Sequence, residues 1–529
     1  MTDEQMVEGR RFPWYGWIGL VVLLAGQSGL YLEVLPVQVL FYCIAWWSYI
    51  LLADAWVWKR RGYSLLRNRP WEFLVLAFWS IAIWNVFEVF NFRLRNWFYV
   101  NVPTDLMSGA VFTFLAYSTV VPGLFETYDL LRAHGVAGRV TMRPWRIRSS
   151  GLALAAIVGL VMLVAPLLWP YYAFPLVWGF AVFLLDPACY RAEPSRARSL
   201  LGQFAQGDPR PFLRLLLAGL ICGALWEFWN FWAFTKWVYT VPFFEDVKWF
   251  EMPPLGFLGF PPFAVECYVL VNLLSRFRRG RGWEEPEQIG PGVPRSMAIA
   301  AVAVASLFNA AVYAGIDRFT VQSYLPALAD IEGVPDDLLP RLSRLGIDSP
   351  HTLLKHTSTP GQVAALSHQA SIPEETLRSL RASAELVDLK GLGSVHYNEL
   401  RRLGIRRVEE LAAQDPEVLV VRWREVAQRD PPTLSQVKVW VRAARRQMRT
   451  FGASAASAVG GSDSAGTPDP PNARTLLPLG GHNQADAADK LTMRGEHINR
   501  PRPFWIRPQI CLPGIRSESS RTSPTDGGE

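Results

Sequence analysis

Apolar residues along the chain gather in nine runs of membrane length, at 14–32, 34–57, 72–92, 106–130, 151–169, 171–190, 212–234, 254–275 and 297–315. Each is near the roughly 20 residues that carry a helix across the hydrocarbon of a bilayer. The first begins right after Arg10 and Arg11 and runs on into the second without a small-residue cleavage site, so it reads as a retained helix. The ninth, MAIAAVAVASLFNAAVYAG, is Ala-rich and the least hydrophobic, and a surface-lying or re-entrant helix is its alternative. Beyond it the pattern changes. From about Asp330 to Arg449 the chain is charged and helix-patterned, and from Gly452 it is rich in Gly, Ser, Ala and Pro without periodicity, as expected of a disordered tail. Within that tail, PFWIRPQICLPG is a candidate docking segment.

The apolar region contains an internal repeat. Asp54 with Ser64-Leu65-Leu66 matches Asp186 with Ser199-Leu200-Leu201, and Glu88, Asn91 and Phe92 match Glu227, Asn230 and Phe231. Trp97-x-Tyr99 matches Trp237-x-Tyr239, and Pro122-x-x-x-Glu126-x-Tyr128 matches Pro262-x-x-x-Glu266-x-Tyr268, all in the same order. Each unit contains about four helices, an even number, so the two copies are expected to share one orientation about an axis along the membrane normal. The expected architecture is all-α: a polytopic bundle of about nine spans in two tandem four-helix repeats, followed by a soluble helical domain. The corresponding boundaries are 1–149, 150–296, 297–316, 328–450 and 451–529.

Composition agrees with this class, since half of the residues are hydrophobic and 22 are Trp. The net charge of +7 comes largely from four loops, carrying Lys59 to Arg69, Arg132 to Arg148, Arg191 to Arg210 and Arg276 to Arg295. The alternate loops are poor in basic residues, so the positive-inside rule puts the N-terminus and these loops in the cytoplasm of a bacterial inner membrane. Nine crossings would leave the C-terminal domain outside. A surface-lying ninth helix would leave it inside, and the sequence does not choose. Cys43, Cys189, Cys222, Cys267 and Cys511 show no disulfide, zinc or redox spacing, and no cofactor or metal is implied.

The chemistry-bearing residues are the acids inside apolar runs, where an ionisable side chain is costly and a functional role is the default expectation. Glu227 and Asn230 are three apart and share a helix face, and Glu88 and Asn91 repeat the pair. Gly256, Gly259, Pro261 and Pro262 break the entry to the eighth span, so a helix starting near Pro262 would bring Glu266 close in depth to Glu227. Two carboxyls at one depth suit acid–base work or proton coupling. Candidate catalytic groups are therefore Glu227, Glu266, Glu88 and Glu126, with Asn230, Asn91, Trp237, Tyr239, Tyr268 and Asn272 as candidate binding groups. The bland alternative makes the aromatics an interfacial belt and has Glu88 and Glu227 accept bonds from Trp N–H groups to fix packing.

The order of acid, Asn, aromatic pair, glycine-rich stretch, Pro and Glu resembles the small integral-membrane lycopene cyclases. That resemblance implies a carboxylic acid acting on a hydrophobic substrate inside the bilayer. Where that family carries a Pro-x-Glu-Glu-type motif, this chain has Pro122-x-x-x-Glu126 and Pro262-x-x-x-Glu266.

The soluble segment carries its own repeat. IEGVPDDLLPRLSRLGIDSPHTLL aligns with LKGLGSVHYNELRRLGIRRVEELA, matching Gly333 with Gly391 and Leu345-Gly346-Ile347 with Leu403-Gly404-Ile405. Each copy reads as a hairpin glycine followed by a helix that ends at a Gly able to take φ > 0. These residues resemble tandem helix-hairpin-helix motifs, and the segment resembles an uncharacterised bacterial domain family of that type. Such hairpins often bind DNA backbone through their amides. Only Gly391-Leu392-Gly393 has the Gly-x-Gly form, whereas Gly333-Val334-Pro335 loses a donor and precedes Asp336 and Asp337. A protein partner for residues 330–449 is therefore expected over nucleic acid. Three functions remain open: acid–base chemistry on a lipid or isoprenoid, a membrane anchor or scaffold, and proton-coupled transport.

Overall fold

The computed structural model describes residues 10–192, 195–243, 247–278, 281–283, 293–427 and 431–460. Eight of its helical segments are long and apolar enough to cross a membrane. In chain order the helices of this region are α1 (Trp14–Tyr31), α2 (Leu35–Arg61), the short α3 (Leu65–Asn68), α4 (Pro70–Leu94), α5 (Leu106–Tyr117) and α6 (Val120–Ala133). They continue with α7 (Ser149–Leu168), α8 (Pro170–Ala173), α9 (Phe180–Arg191), the short α10 (Leu200–Ala205), α11 (Arg210–Trp232), α12 (Phe260–Ser275) and α13 (Arg295–Phe319). α5 and α6 form one span broken at Ser118 and Thr119, and α8 and α9 form another broken by a 3-10 turn over Phe174–Val177.

One expectation about the spans is corrected. The run at 297–315 is α13, a helix of 25 residues as hydropathic as α4, rather than the least hydrophobic of the set. It packs on α4, where Asn85 Nδ2 donates to Asn309 Oδ1 at 2.9 Å. The helix outside the eight is α1, whose glycines, Gln27 and Ser28 dilute its apolar residues. Those glycines have a packing use. Gly16, Gly19, Gly26 and Gly29 face α2, and a methyl at Gly16 would come within 2.5 Å of Ala55. Small residues on one stripe let membrane helices approach closely.

The all-α expectation also misses a two-stranded antiparallel ribbon, β1 (Trp97–Val100) and β2 (Lys236–Tyr239). Trp97 lies opposite Tyr239 and Tyr99 opposite Trp237, so each Trp-x-Tyr meets the other in a pairing unchanged by exchanging the two. The segment after α13 runs parallel along the other edge of β1, with Tyr99 N–H donating to Thr320 O and Gln322 N–H donating to Tyr99 O, each at 2.8 Å. Successive side chains of a strand point to opposite faces. Here Trp97, Tyr99, Trp237 and Tyr239 face a cavity among the membrane helices, while Phe98, Val100 and Val238 belong to the core of the C-terminal domain.

That domain comprises α14 (Leu339–Arg344), α15 (Pro350–His356), α16 (Pro360–Ala370), α17 (Glu374–Asp388), α18 (Gly393–Arg402), α19 (Val408–Ala412), α20 (Pro416–Trp423) and α21 (Leu434–Gly460). Gly346 and Gly404 take φ of +75° and +84°, and in each copy the next residue donates back to a leucine, Ile347 N–H to Leu342 O and Ile405 N–H to Leu400 O. α21 continues through 451–460, inside the stretch expected to be tail. Residues 461–529, with the PFWIRPQICLPG segment and Cys511, lie outside the described residues.

The domain sits on the ribbon, at the helix ends opposite the four basic loops. Glu251 is buried and accepts from Lys236 Nζ at 2.7 Å and from Lys390 Nζ at 3.0 Å, joining β2 to the turn before α18. Burial alone would raise its pKa, but Lys236, Lys390 and Lys248 together hold it well below the usual carboxylate range. Gly391 O accepts from Gln322 Nε2 at 2.9 Å. Gly391 has a φ of +69°, and a Cβ there would lie 2.3 Å from Val100. We predict that Gly391→Ala undocks the domain, read as faster hydrogen exchange over 330–449, and that Val100→Gly in the same chain restores part of the protection.

A second contact adds pH dependence. Burial pushes the Glu33 carboxyl up to about 7 from 4.5, while Lys355 and His351 of the domain pull it back. With docking as the source of this burial, the group is expected to favour docking as pH falls through the window between 4.5 and about 7. Glu33→Gln is expected to flatten this part of a pH profile of docking, measured by hydrogen exchange.

Candidate functional site

The ribbon forms the roof of a cavity of about 570 Å³. Its walls come from α2, α4, α5, α11, the 3-10 turn Pro254–Gly259, α12 and α13, and they are mostly aromatic. The volume falls within the range of small-molecule sites, roughly 300–1,000 Å³. At the rim, Leu106, Tyr172, Leu255 and Leu258 are among the most exposed apolar side chains of the molecule. In a bilayer, exposed apolar residues of this kind would face acyl chains.

Glycine spacing brings α11 and α12 together. Gly219 and Gly223 lie one turn apart, and a Cβ on them would come within 2.4 Å of Phe260 O and 2.3 Å of the Phe260 ring respectively. This close approach sets Phe260 and Phe263 beside Trp226 in the cavity wall.

The two asparagines do not face the cavity. Asn91 Oδ1 accepts from the N–H of Asn96 at 2.9 Å and of Trp97 at 3.2 Å, and its Nδ2 donates to Trp97 O at 2.8 Å. Asn230 repeats this on Trp237, with both bonds at 3.0 Å. Each side-chain amide thus stands in for a neighbouring strand and fixes the aromatic that follows.

The two glutamates on α4 and α11 lie behind the wall, one bond from it. Glu88 Oε1 accepts from Trp84 Nε1 at 2.9 Å, Trp97 Nε1 at 3.1 Å and Tyr99 Oη at 2.5 Å. Tyr117 Oη is 3.2 Å from the same oxygen and 2.9 Å from Tyr99 Oη. Glu227 Oε1 accepts from Tyr239 Oη at 2.9 Å. The halves differ because Trp84 and Tyr117 stand where the other half has Gly223 and Phe257. In place of these glutamates, the phenols of Tyr99, Tyr117 and Tyr239 line the cavity, each tied to a buried carboxyl.

The proposed pairing of Glu266 with Glu227 does not appear among the contacts. Glu266 Oε1 instead accepts from Ala181 N–H at 2.9 Å, at the start of α9. A helix that begins inside a membrane leaves unpaired N–H groups, and a carboxylate from a neighbouring helix satisfies one of them. Asp54 and Asp186 do comparable work for short helices: Asp54 accepts from Leu66 N–H at 2.7 Å, and Asp186 from Leu200 and Leu201 N–H at 2.9 Å. Glu126 is buried beside Asp54 and lies outside the cavity wall. Tyr268 accepts from Gln203 Nε2 at 2.8 Å, and Asn272 follows one turn later. Neither lines the cavity. No group of three or more metal-ligating side chains occurs among the described residues.

Residues 332–447 match the family model described as a domain of unknown function, DUF4332. Comparison of the chain with curated proteins and with solved structures gives no match. The matched segment is the domain docked on the ribbon, and its Gly391-Leu392-Gly393 turn is engaged there. A Cβ at Gly391 would meet Val100, and one at Gly393 would meet Ser323 at 2.6 Å. The turn at Gly333 is also internal, since Gly333 packs against the Arg401 guanidinium and Glu332 pairs with Arg402.

The reading of residues in sequence overlooked Tyr42, Trp84, Tyr117, Trp178 and Phe263 as parts of one wall. Their only signal was aromatic density, which interfacial belts also produce. The unequal bonding of the two glutamates has a measurable consequence. A buried donor left without an acceptor costs roughly 1–3 kcal/mol, and Glu88 serves more donors than Glu227. Glu88→Ala is expected to lower the thermal midpoint in detergent distinctly more than Glu227→Ala, and equal losses would refute that ranking.

Proposed function

We propose that the chain is a bacterial inner-membrane protein that takes a lipid or isoprenoid molecule into the cavity beneath the ribbon and presents phenol–carboxyl pairs to it. The observation that carries this reading is the aromatic cavity itself, with its apolar rim and with Tyr99–Glu88 and Tyr239–Glu227 at its wall. A phenol bonded to a buried carboxyl can give up and recover a proton, so the acid–base chemistry expected of the glutamates passes through the tyrosines. The resemblance to small membrane cyclases supports the same class of substrate and nothing finer.

In this reading the membrane region is two tandem four-helix units plus α13. The matching Asn–Trp bonds and the symmetric strand pairing support it, as does the order of the sequence repeat. Positive loops place the N-terminus in the cytoplasm. The docked domain then lies on the outer side, where its helix-hairpin-helix-like glycines serve an internal contact instead of nucleic acid.

A scaffold role is the second reading, and one observation favours it: Glu88 is capped by two Trp N–H groups, as a packing residue would be. The two readings separate in one experiment. Protein purified in mild detergent is extracted and its lipids are profiled beside Ala116→Phe, which fills the cavity, and Tyr99→Phe, which keeps its shape. The expected result is one apolar species enriched with wild type and Tyr99→Phe and reduced at least about tenfold with Ala116→Phe. A profile matching bulk membrane lipid for all three overturns the cavity reading.

A further inference from the structure

The charges around the cavity bear on the head group of its ligand, an inference that rests on the cavity reading above. Among the described residues one cation lines the cavity, Lys236, and it is already committed. Its Nζ donates to Glu251 at 2.7 Å and to Phe231 O at 3.2 Å. A phosphate or carboxylate head would have to take this lysine from a buried carboxylate that also holds Lys390, leaving Glu251 short of a partner.

The rim has the opposite character. Asp317, near the end of α13, lines the mouth and accepts a bond from Tyr324 Oη. Tyr313 lies one turn earlier on the same helix, lines the same mouth and donates to Leu106 O at 3.0 Å. Asp105, which caps α5 by accepting from Ser108 N–H at 2.7 Å, contributes a second negative charge close to Tyr313. Among the described residues no Lys, Arg or His pairs with Asp317, and the neighbouring Arg318 lies over the ring of Phe319. Behind this carboxylate the walls are the rings of Trp97, Trp178, Trp226, Trp237, Tyr99 and Tyr239. Aromatic faces attract cations, and do so more strongly where water is scarce. The Tyr99 and Tyr239 phenols carry further carboxyls on their far side.

We propose that the cavity selects an amphiphile with a positively charged ammonium head, held at Asp317 with Tyr313 and Tyr324 beside it and with its apolar chain among the aromatic rings. Anionic lipids are disfavoured because the one lining cation among the described residues is neutralised within the protein. Asp317 is a specificity-determining residue in this scheme and takes no part in the phenol–carboxyl pairs.

Chain-matched probes test it: dodecylamine, dodecyltrimethylammonium, dodecanol and dodecanoate are each added to the purified full chain in a non-ionic detergent, and bound probe is counted by native mass spectrometry. The Ala116→Phe protein sets the background. The two cationic probes are expected to be retained about tenfold above dodecanol, with dodecanoate at background. Asp317→Asn is expected to bring the amines down to the level of dodecanol without changing dodecanol itself. Equal retention of all heads, or a preference for dodecanoate, overturns the head-group assignment while leaving the cavity as a binding site. If no probe exceeds the Ala116→Phe background, the cavity reading falls and the head-group assignment with it.

Discussion

A strand laid at the end of membrane helices must find a partner for every N–H and C=O it carries, because little water is there to replace one. Two side-chain amides supply the critical partners. Asn91 and Asn230 pair with both main-chain polar groups of Trp97 and Trp237, and the antiparallel register then aligns the two Trp-x-Tyr segments. With the ribbon held in this way, its alternation separates two environments. Odd-numbered aromatics close the cavity, and Phe98, Val100 and Val238 are left as an apolar platform on the other face.

The cavity follows from places where regular helix stops. The span of α5 and α6 breaks at Ser118 and Thr119, α9 begins after a 3-10 turn, and α12 begins after another. Breaks of this kind need local satisfaction of main-chain groups. Glu266 supplies it for α9, and Ser80 Oγ, which donates to Tyr117 O at 2.6 Å and accepts from Val121 N–H at 3.0 Å, supplies it for the break in the first half. Buried polar residues in this protein therefore divide by task. Asn91, Asn230, Glu266, Asp54 and Asp186 serve the backbone, whereas Glu88 and Glu227 serve the side chains that line the cavity.

The C-terminal domain completes the arrangement from above. Its Gly-x-Gly turn lacks side chains where Val100 and Ser323 press against it, and the buried Glu251 ties Lys390 to Lys236. Because Lys236 is at once a cavity residue and a partner of that carboxylate, docking and the electrostatics of the cavity share one group. Loss of the docking contact would take Lys390 from Glu251 and leave that carboxylate to Lys236 alone, so the domain belongs to the environment of the site and is more than an appendage.

Span positions were legible because hydropathy is a local property, and the shared order of acid, Asn, Trp-x-Tyr and Pro was legible because it is written twice. The helix-ending glycines Gly346 and Gly404 were legible for a similar reason, since φ > 0 selects glycine at a single position. The ribbon was not. Trp-x-Tyr after a membrane helix has the composition of an interfacial belt, and only a second strand 140 residues away, with Tyr99 opposite Trp237, gives the alternation a use. The roles of the acids were equally hidden. Glu227 and Glu266 looked like partners by depth, yet one bonds Tyr239 and the other Ala181, because a carboxyl is claimed by whichever donor the helix packing brings nearest. The sequence alone determined which runs are apolar enough to cross a membrane and which of their residues are polar. Tertiary structure decided which of those polar groups are spent on the backbone and which remain at a cavity, since hydrogen bonds depend on distances across helices that chain spacing does not set.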